Sequence, residues 1–527
     1  MKYIIGIDVG SGSSRAGIFS LDGNSFGFES TPIKLRKIDE NFVEQSSNDI
    51  WNSVCQSVKK VISKSKINSD DVIAIGFDAT CSLVALDKDN KPVSVNKDCE
   101  DDWNIIMWMD HRAVKEADEI NSQNFDVLKY VGGKISLEME IPKILWLKRN
   151  LPENYKRINQ FFDLADFLQY KACGSNIRSS CTTACKWTYL AHENKWDEAF
   201  FKSLDLYDLI EENKIGNIIK EPGVFAENLT EESSKELGLS SNVKVAVGMI
   251  DAHAGGLGSL IGKAENTLVI VAGTSACHMM NSKEPIFVNG VWGPYYNAMV
   301  SGMWLNEGGQ SAYGSLIDYN IKKHPYFNNL IKEGKTFKDI YQILNEEVDK
   351  LKNINKFYIK DIHILDYHYG NRSPIADPKE RGVEIGLDMS EDITSMAKLY
   401  WATIDSICFG TRNIIETSKN NGYTINTIIV CGGAAKNPLF MRELADICQC
   451  TIYTAGHEES VVFGSAILAS IASGEYKNYE DALAKMSKKG ECIETDKTMK
   501  EYFDKKYQIY LELYKDKLKY EKLMSDF

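Results

Sequence analysis

Apolar, β-rich residues run from Tyr3 to Asp8 and stop at the polar stretch Gly10-Ser11-Gly12-Ser13-Ser14. A second such run, Arg15 to Leu21, ends at Asp22-Gly23, a pair that suits a tight turn. Together they predict a hairpin whose first turn is unusually rich in Gly and Ser. From Asp49 to Ser63 the spacing becomes helical, with Ile50, Val54, Val58, Val61 and Ile62 on one side. Val72 to Phe77 reads as a short buried strand that ends in Asp78. Strand, strand, helix, strand is the order of an α/β protein.

Pro142 to Arg149 starts a helix with Pro in its first turn, and Asp163 to Lys171 reads as another. Val243 to Val247 is a strand that leads through Gly248-Met249-Ile250 to Asp251. The small residues Ala252 to Gly258 suit a helix start packed tightly on a sheet. The opening theme then returns: Thr267 to Ala272 is a strand, Gly273-Thr274-Ser275 a polar turn, and Ala276 to Met280 extended again. Two copies of strand, polar turn and strand imply two similar domains facing one cleft. The boundary falls between Gly256 and Asn266. It gives an N-terminal domain of residues 1–260 and a C-terminal domain of residues 261–478. Ile428 to Cys431 is a late strand, followed by Gly432-Gly433-Ala434-Ala435-Lys436-Asn437-Pro438 and a helix from Leu439 to Cys448. Residues 479–527 are Lys-, Glu- and Tyr-rich. They are expected to form a solvated helical extension with no catalytic part.

A chain of 527 residues fits two large domains and needs no disulfide or structural metal to bury a core. The net charge of −13 argues against a nucleic-acid partner and against anionic membrane surfaces. A neutral substrate, or a metal-neutralised nucleotide, fits it better. The 12 cysteines include no CxxC pair, and Cys448 and Cys450 are spaced wrongly for a tetrahedral zinc site. The opening residues lack the apolar region and cleavage site of an export signal, and the apolar stretch Val461 to Ser473 is too short to span a bilayer. Scattered thiols then point to a reducing, cytoplasmic location. Oligomeric state is open, with a homodimer as one option.

The chemistry is read from the turns. In Asp8-Val9-Gly10-Ser11-Gly12-Ser13-Ser14-Arg15, a Gly/Ser bend lets backbone N–H groups and hydroxyls converge on phosphate oxygens, and Asp8 at the strand end can hold Mg²⁺ directly or through water. No Gly-Lys-Ser/Thr follows, so this is not a Walker A loop. Gly273-Thr274-Ser275 would clamp the same triphosphate from the second domain, and Gly432-Gly433 would let an adenine approach the backbone. Any one of these turns alone suits an ordinary hairpin or strand-to-helix corner; the three in this order suit a nucleotide site. Asp251 is the expected general base, although Asp before a helix is also a natural N-cap. Trp108-Met109-Asp110-His111-Arg112 offers a stacking face and polar groups to a sugar, with surface ion pairing as the plainer account of Asp110 and Arg112. Glu307 lies beside the paired glycines 308 and 309, and Lys186 lies in a polar stretch.

These residues, in this order, resemble the FGGY family of carbohydrate kinases, from Tyr3 to about Gly474, although the tetrapeptide that names the family is absent. Asp78-Ala79-Thr80-Cys81-Ser82, Ser136 to Trp146, Gly273 to His278, Glu307 to Ala312 and His368 to Pro374 look most like the ribulokinase branch, especially its D-ribulokinase type. The resemblance implies an α/β fold of two actin-like ATPase (ribonuclease H-like) domains flanking a catalytic cleft. It implies phosphorylation by ATP, with Mg²⁺, of the primary (5-) hydroxyl of a pentulose, D-ribulose first. L-ribulose, ribitol, xylulose or another sugar or polyol are the alternatives, and a sugar-independent actin-like ATPase is the rival outside kinases. It assigns Asp251 as catalytic base and Ser82, Trp108, Asp110, Glu138, Lys186 and Glu307 to the sugar. Gly10, Ser11, Gly12, Ser13, Arg15, Gly273 and Thr274 fall to the phosphates, and Gly432, Gly433 and Asn437 to the adenosine. Asn371-Arg372-Ser373 is expected to shape a loop in the second domain.

Overall fold

Tyr3–Val9 pairs antiparallel with Ser13–Ser20, from Tyr3 opposite Ser20 to Val9 opposite Ser14. In the computed structural model, which describes residues 1–525, this hairpin is the centre of a seven-stranded sheet. Ser25–Pro32 extends it on one side. On the other, Val72–Ala79 runs parallel to Tyr3–Val9, followed by Lys244–Ala246 and the antiparallel Phe225–Asn228. The apolar run at the start is continuous because both faces of its strand are covered: Ile5 and Ile7 enter one core, Ile4 another. Helix Ser47–Ser65 covers one face with Ile50, Val54, Val58 and Val61, and Ser46 caps it by accepting the N–H of Asp49. Such a cap is worth about 1 kcal/mol.

The second half repeats this arrangement. Thr267–Ala272 pairs antiparallel with Ala276–Ser282, which continues to Trp304–Gln310 and Trp292–Tyr296. On its other side Thr427–Gly432 and Thr451–Ala455 are parallel, and Lys489–Ile493 closes the sheet. The repeat in the sequence is therefore a repeat of topology: a central hairpin with parallel strands added beyond its first member. A smaller five-stranded sheet, which the residue pattern did not reveal, carries Leu83–Leu86, Ile105–Ile106 and Gln160–Asp163 in the first half. Gln160–Asp163 is a strand, so the helix expected from Asp163 begins at Leu164.

The two halves are tied by helices Asp251–Ser259 and Ser460–Ala472. Their backbones meet at glycines: a Cβ on Gly258 would lie 2.0 Å from the carbonyl oxygen of Ser460, and one on Gly464 2.0 Å from that of Ala254. Helix Ser460–Ala472 then lies on the first sheet, where Ser465 reaches Asp78. Residues 474–488 stay with the first half, as Tyr479 donating to the carbonyl of Pro222 shows. The chain returns to the second half at Lys489.

The solvated extension expected from residue 479 onward is corrected here; its last two residues lie outside those described. Lys489–Ile493 is a sheet strand, and helix Lys500–Leu523 buries Phe503, Tyr507, Tyr510 and Leu513 in the second core. The Lys/Glu-rich composition conceals an aromatic stripe with near-helical spacing. Two of its lysines are buried in ion pairs, Lys506 3.3 Å from Asp405 and Lys517 2.7 Å from Glu380. Among the described residues no helix is long and apolar enough to cross a membrane.

Candidate active site

Three carboxylates gather at one edge of the first sheet. Asp8 and Asp78 are opposite each other on parallel strands, and Met249 also pairs with Asp78, so Asp251 opens its helix just past the same edge. Asp8 and Asp78 are buried, while Asp251 is half-buried. The Arg15 Nε donates to Asp8 Oδ2 at 2.6 Å, and another guanidinium nitrogen lies 2.8 Å from Glu459 Oε2. Arg15 thus spends its fork on two carboxylates from the two halves of the chain. Ser465 donates to Asp78 Oδ2 at 2.5 Å, whereas Asp78 Oδ1 is buried without a partner. Burial and the nearby Asp8 charge raise Asp251 to about 6 and hold Asp78 well above the usual carboxylate range. An orphaned carboxylate oxygen inside an acidic cluster with one guanidinium beside it is a donor set suited to a hard, oxygen-seeking divalent cation.

The Gly/Ser bends sit at matching edges. The Gly10 N–H donates to the Ser13 carbonyl at 3.1 Å, and that of Gly273 to the Ser275 carbonyl at 2.9 Å. Gly12, Gly273, Thr274, Gly432 and Gly433 are exposed, and Ser11 and Ser13 are half-buried. Gly432 lies opposite Ala272, which brings the Gly273 and Gly432 bends side by side on the second sheet. Asn437 caps helix Pro438–Cys448 through Leu439 and Phe440 and donates to the Tyr400 hydroxyl at 2.7 Å. Its side chain is occupied in holding that corner.

Some of the residues assigned to a sugar are half-buried, and others are fully occupied by the protein. The Trp108 indole N–H donates to Ser11 Oγ at 2.9 Å, joining Trp108 to the first Gly/Ser bend. Ser82 is fully buried and accepts the backbone N–H of Trp108 at 3.2 Å, so it positions Trp108 instead of facing a ligand. Asp110 is corrected more sharply. It is buried, with its oxygens accepting from the Val43 N–H, from the Arg112 N–H and from the Arg112 guanidinium, which also binds Glu44. No acceptor capacity faces a sugar. Lys186, Glu138 and Glu307 are half-buried and grouped: Lys186 Nζ lies 3.8 Å from Glu138 Oε2, and both cations Lys186 and Arg372 act on Glu307.

Residues that the sequence reading passed over complete the group. His253, on the helix that Asp251 opens, sets Nε2 3.3 Å from Glu307 Oε2 and Nδ1 3.1 Å from Cys181 Sγ. Burial opposes a charged imidazole, but Cys181 and Glu307 outweigh it and raise His253; burial opposes a charged Glu307 too, and His253, Lys186 and Arg372 lower it to about 2. Cys181, Cys185 and His253 bring their ligand atoms within 4.8 Å of one another. A His two residues beyond Asp251 on a short helix was the available signal for His253; its pairing with Cys181 depends on the fold.

Two sheets of matching topology, each with a Gly/Ser bend in its central hairpin, are the architecture of the actin-like ATPase (ribonuclease H-like) fold. The comparisons agree: the pattern of the FGGY family of carbohydrate kinases matches with its N-terminal domain over residues 3–258 and its C-terminal domain over residues 268–473. The chain is 44% identical over 544 aligned residues to a human FGGY carbohydrate kinase domain-containing protein, covering 100% of this chain and 98% of the relative. It is 39% identical over 519 residues to a D-ribulokinase of Saccharomyces cerevisiae, covering 90% of this chain and 72% of that one. Among solved structures, a ligand-bound xylulose kinase from Lactobacillus acidophilus superposes with a TM-score of 0.82 at 19% identity, over 97% of this chain and 98% of that one. The chain belongs to the FGGY family of carbohydrate kinases and resembles its ribulokinase branch; it is an ATP-dependent sugar kinase.

Proposed function

We propose that this kinase transfers the γ-phosphoryl group of ATP to the primary 5-hydroxyl of D-ribulose, giving D-ribulose 5-phosphate. The observation that carries this reading is the 39% identity to the yeast D-ribulokinase over 90% of the chain. The sugar lies against Trp108, with Lys186, Glu138 and Glu307 on its hydroxyls. Asp251 accepts the proton of the attacking hydroxyl as oxygen bonds to phosphorus and the bond to ADP breaks. Its raised pKa makes it a better acceptor than an ordinary carboxylate while leaving it mostly ionised at pH 7. The bends at 10–13 and 273–274 hold phosphate oxygens, and Gly432 and Gly433 admit the adenine. Asp8, with the unpartnered oxygen of Asp78, would hold Mg²⁺. When bound, the ion supplies neutralisation of phosphate charge. Closure of the two halves excludes water from the acceptor. The reaction takes place in the cytoplasm, which the many unpaired thiols favour.

An ADP-release assay across D-ribulose, L-ribulose, D-xylulose, L-xylulose, ribitol and glycerol tests the substrate. D-Ribulose should give the highest kcat/KM. A higher value for any other acceptor would remove the D-ribulose assignment and leave the kinase class standing.

A further inference from the structure

We propose that Arg372, supplied by the second half of the molecule, is a specificity-determining residue of the sugar site: it donates to an oxygen of a neutral acceptor jointly with Glu138 and Lys186. This rests on the sugar-kinase reading of the Lys186, Glu138 and Glu307 group.

Glu138 stands just before helix Glu140–Asn150 of the first half, and Arg372 follows strand His363–Leu365 of the second. Their ends meet across the molecule: Arg372 Nη2 lies 3.6 Å from Glu138 Oε1. That is ion-pair distance but longer than a good hydrogen bond, and Lys186 Nζ stands off the other oxygen of the same carboxylate by 3.8 Å. Two cations therefore flank one carboxylate without making hydrogen bonds to it, which leaves donors and acceptors for the oxygens of a third party.

The arginine is held in place for this. Its guanidinium carbon sits 5.2 Å from the centre of the Trp292 ring. Its aliphatic stem crosses Gly309, where a Cβ would come within 2.3 Å of Arg372 Cδ. The flanking residues are fixed too. Ser373 donates to the Gly290 carbonyl at 2.8 Å, Asn371 Oδ1 accepts the Ile375 N–H at 2.9 Å, and Asn371 and Asp377 exchange backbone hydrogen bonds at 2.9 Å each. A long side chain fixed before binding loses little entropy when it binds. At Gly309, the second of the paired glycines after Glu307, the missing side chain is room for this arginine.

The group also has a charge balance. Lys186, Arg372 and His253, which Cys181 and Glu307 raise against burial, stand against Glu138, Glu307 and the Cys181 thiol, which Cys185 and His253 lower against burial, so a neutral polyol or ketose enters without disturbing it. A sugar acid would bring an uncompensated charge into a half-buried site. The chemical class selected is the uncharged sugar alcohol or ketose.

The test measures binding without turnover. Calorimetric titration of the full chain with D-ribulose, L-ribulose, D-xylulose and ribitol ranks the sugars, and the best-bound one is carried to the variants, with Mg-ATP titrated separately. Arg372→Met should weaken that sugar about 10- to 100-fold, the range for losing charge-assisted hydrogen bonds. Arg372→Lys should recover part of the loss, and Mg-ATP affinity should stay within about twofold of wild type. Pentonate should bind wild type at least tenfold more weakly than the best neutral sugar. Unchanged sugar affinity in Arg372→Met, or equal losses for sugar and Mg-ATP with a lowered melting temperature, overturns the inference in favour of a structural staple. Should D-ribulose not rank first, the D-ribulose assignment fails while the Arg372 comparison is still read on the sugar that does. If wild type binds none of the four, both fail.

Discussion

Asp251 is held ionised at a cost. Burial and Asp8 raise it from 3.8 to about 6, so the fold favours the neutral carboxyl. A raised carboxylate contributes stability that is complete below the unfolded value near 3.8 and is lost as pH climbs through about 6. At pH 8 the ionised group therefore costs about 2–3 kcal/mol in the protein free of nucleotide and divalent cation. Asp251→Asn should melt higher than wild type at pH 8, and the gap should shrink steadily toward pH 4; a gap that widens as pH falls would contradict the sign. The same variant should lose about 10²–10⁴-fold in kcat, measured by ADP release. For wild type, kcat/KM should rise with pH and level off above about 6. Trp108 offers a second test. Trp108→Phe keeps an aromatic wall but removes the donor to Ser11, so KM should rise for both sugar and Mg-ATP; a change confined to the sugar would mean that the indole serves only as a wall. What was legible at this scale depended on exposure. Asp251 drew attention because small residues follow it, and Glu307 because paired glycines do, whereas Lys186 was singled out only by the family resemblance. Asp110 was misread because a polar run looks the same whether it faces a ligand or a buried arginine, and only the fold brings Glu44 and Val43 to it.

Elements were legible where periodicity and punctuation agreed. The opening hairpin, helix Ser47–Ser65 and the second polar bend all follow from apolar spacing interrupted by Gly and Ser. Helix Lys500–Leu523 shows why composition misleads. Its charged majority is solvated, yet the aromatic minority is buried, and one residue reaches back toward the site. Tyr510 donates to Asp366 Oδ1 at 2.8 Å, Asp366 Oδ2 accepts from Gln310 Nε2 at 2.8 Å, and Gln310 ends the strand that carries Glu307. The C-terminal helix thus braces the strand that carries Glu307. Tyr510→Phe should destabilise by about 1–2 kcal/mol by leaving a buried carboxylate oxygen unpaired, and Tyr510→Ala by about 3–5 kcal/mol through the added cavity. Denaturant titration of the two variants checks this. A solvated extension would show neither loss.

At the scale of the whole molecule, the helices Asp251–Ser259 and Ser460–Ala472 carry the link between halves. One begins with Asp251; the other follows Glu459, which binds Arg15, and presents Ser465 to Asp78. Each helix thus belongs in sequence to one half and touches the carboxylate cluster of the first. No sequence pattern exposed this, since small residues along two separate helices gain meaning only when the helices cross. The contact at Gly258 and Gly464 is backbone against backbone, so a methyl group on either cannot be absorbed by a side-chain rotation. The helices must instead separate by a fraction of an ångström or more. Gly258→Ala and Gly464→Ala should each cost about 1–3 kcal/mol, the usual range for overpacking. Because either methyl forces the same two helices apart, the second should cost less than the first, and the double variant should fall short of the sum. The shift also moves Asp251 relative to Asp8 and the Gly/Ser bends, so kcat should fall at temperatures where the variants remain fully folded. Denaturant melts of the single and double variants, beside kcat measured well below their melting temperatures, decide the matter. Strict additivity with unchanged kcat would reduce the crossing to ordinary packing, with no part in setting the geometry of the two halves.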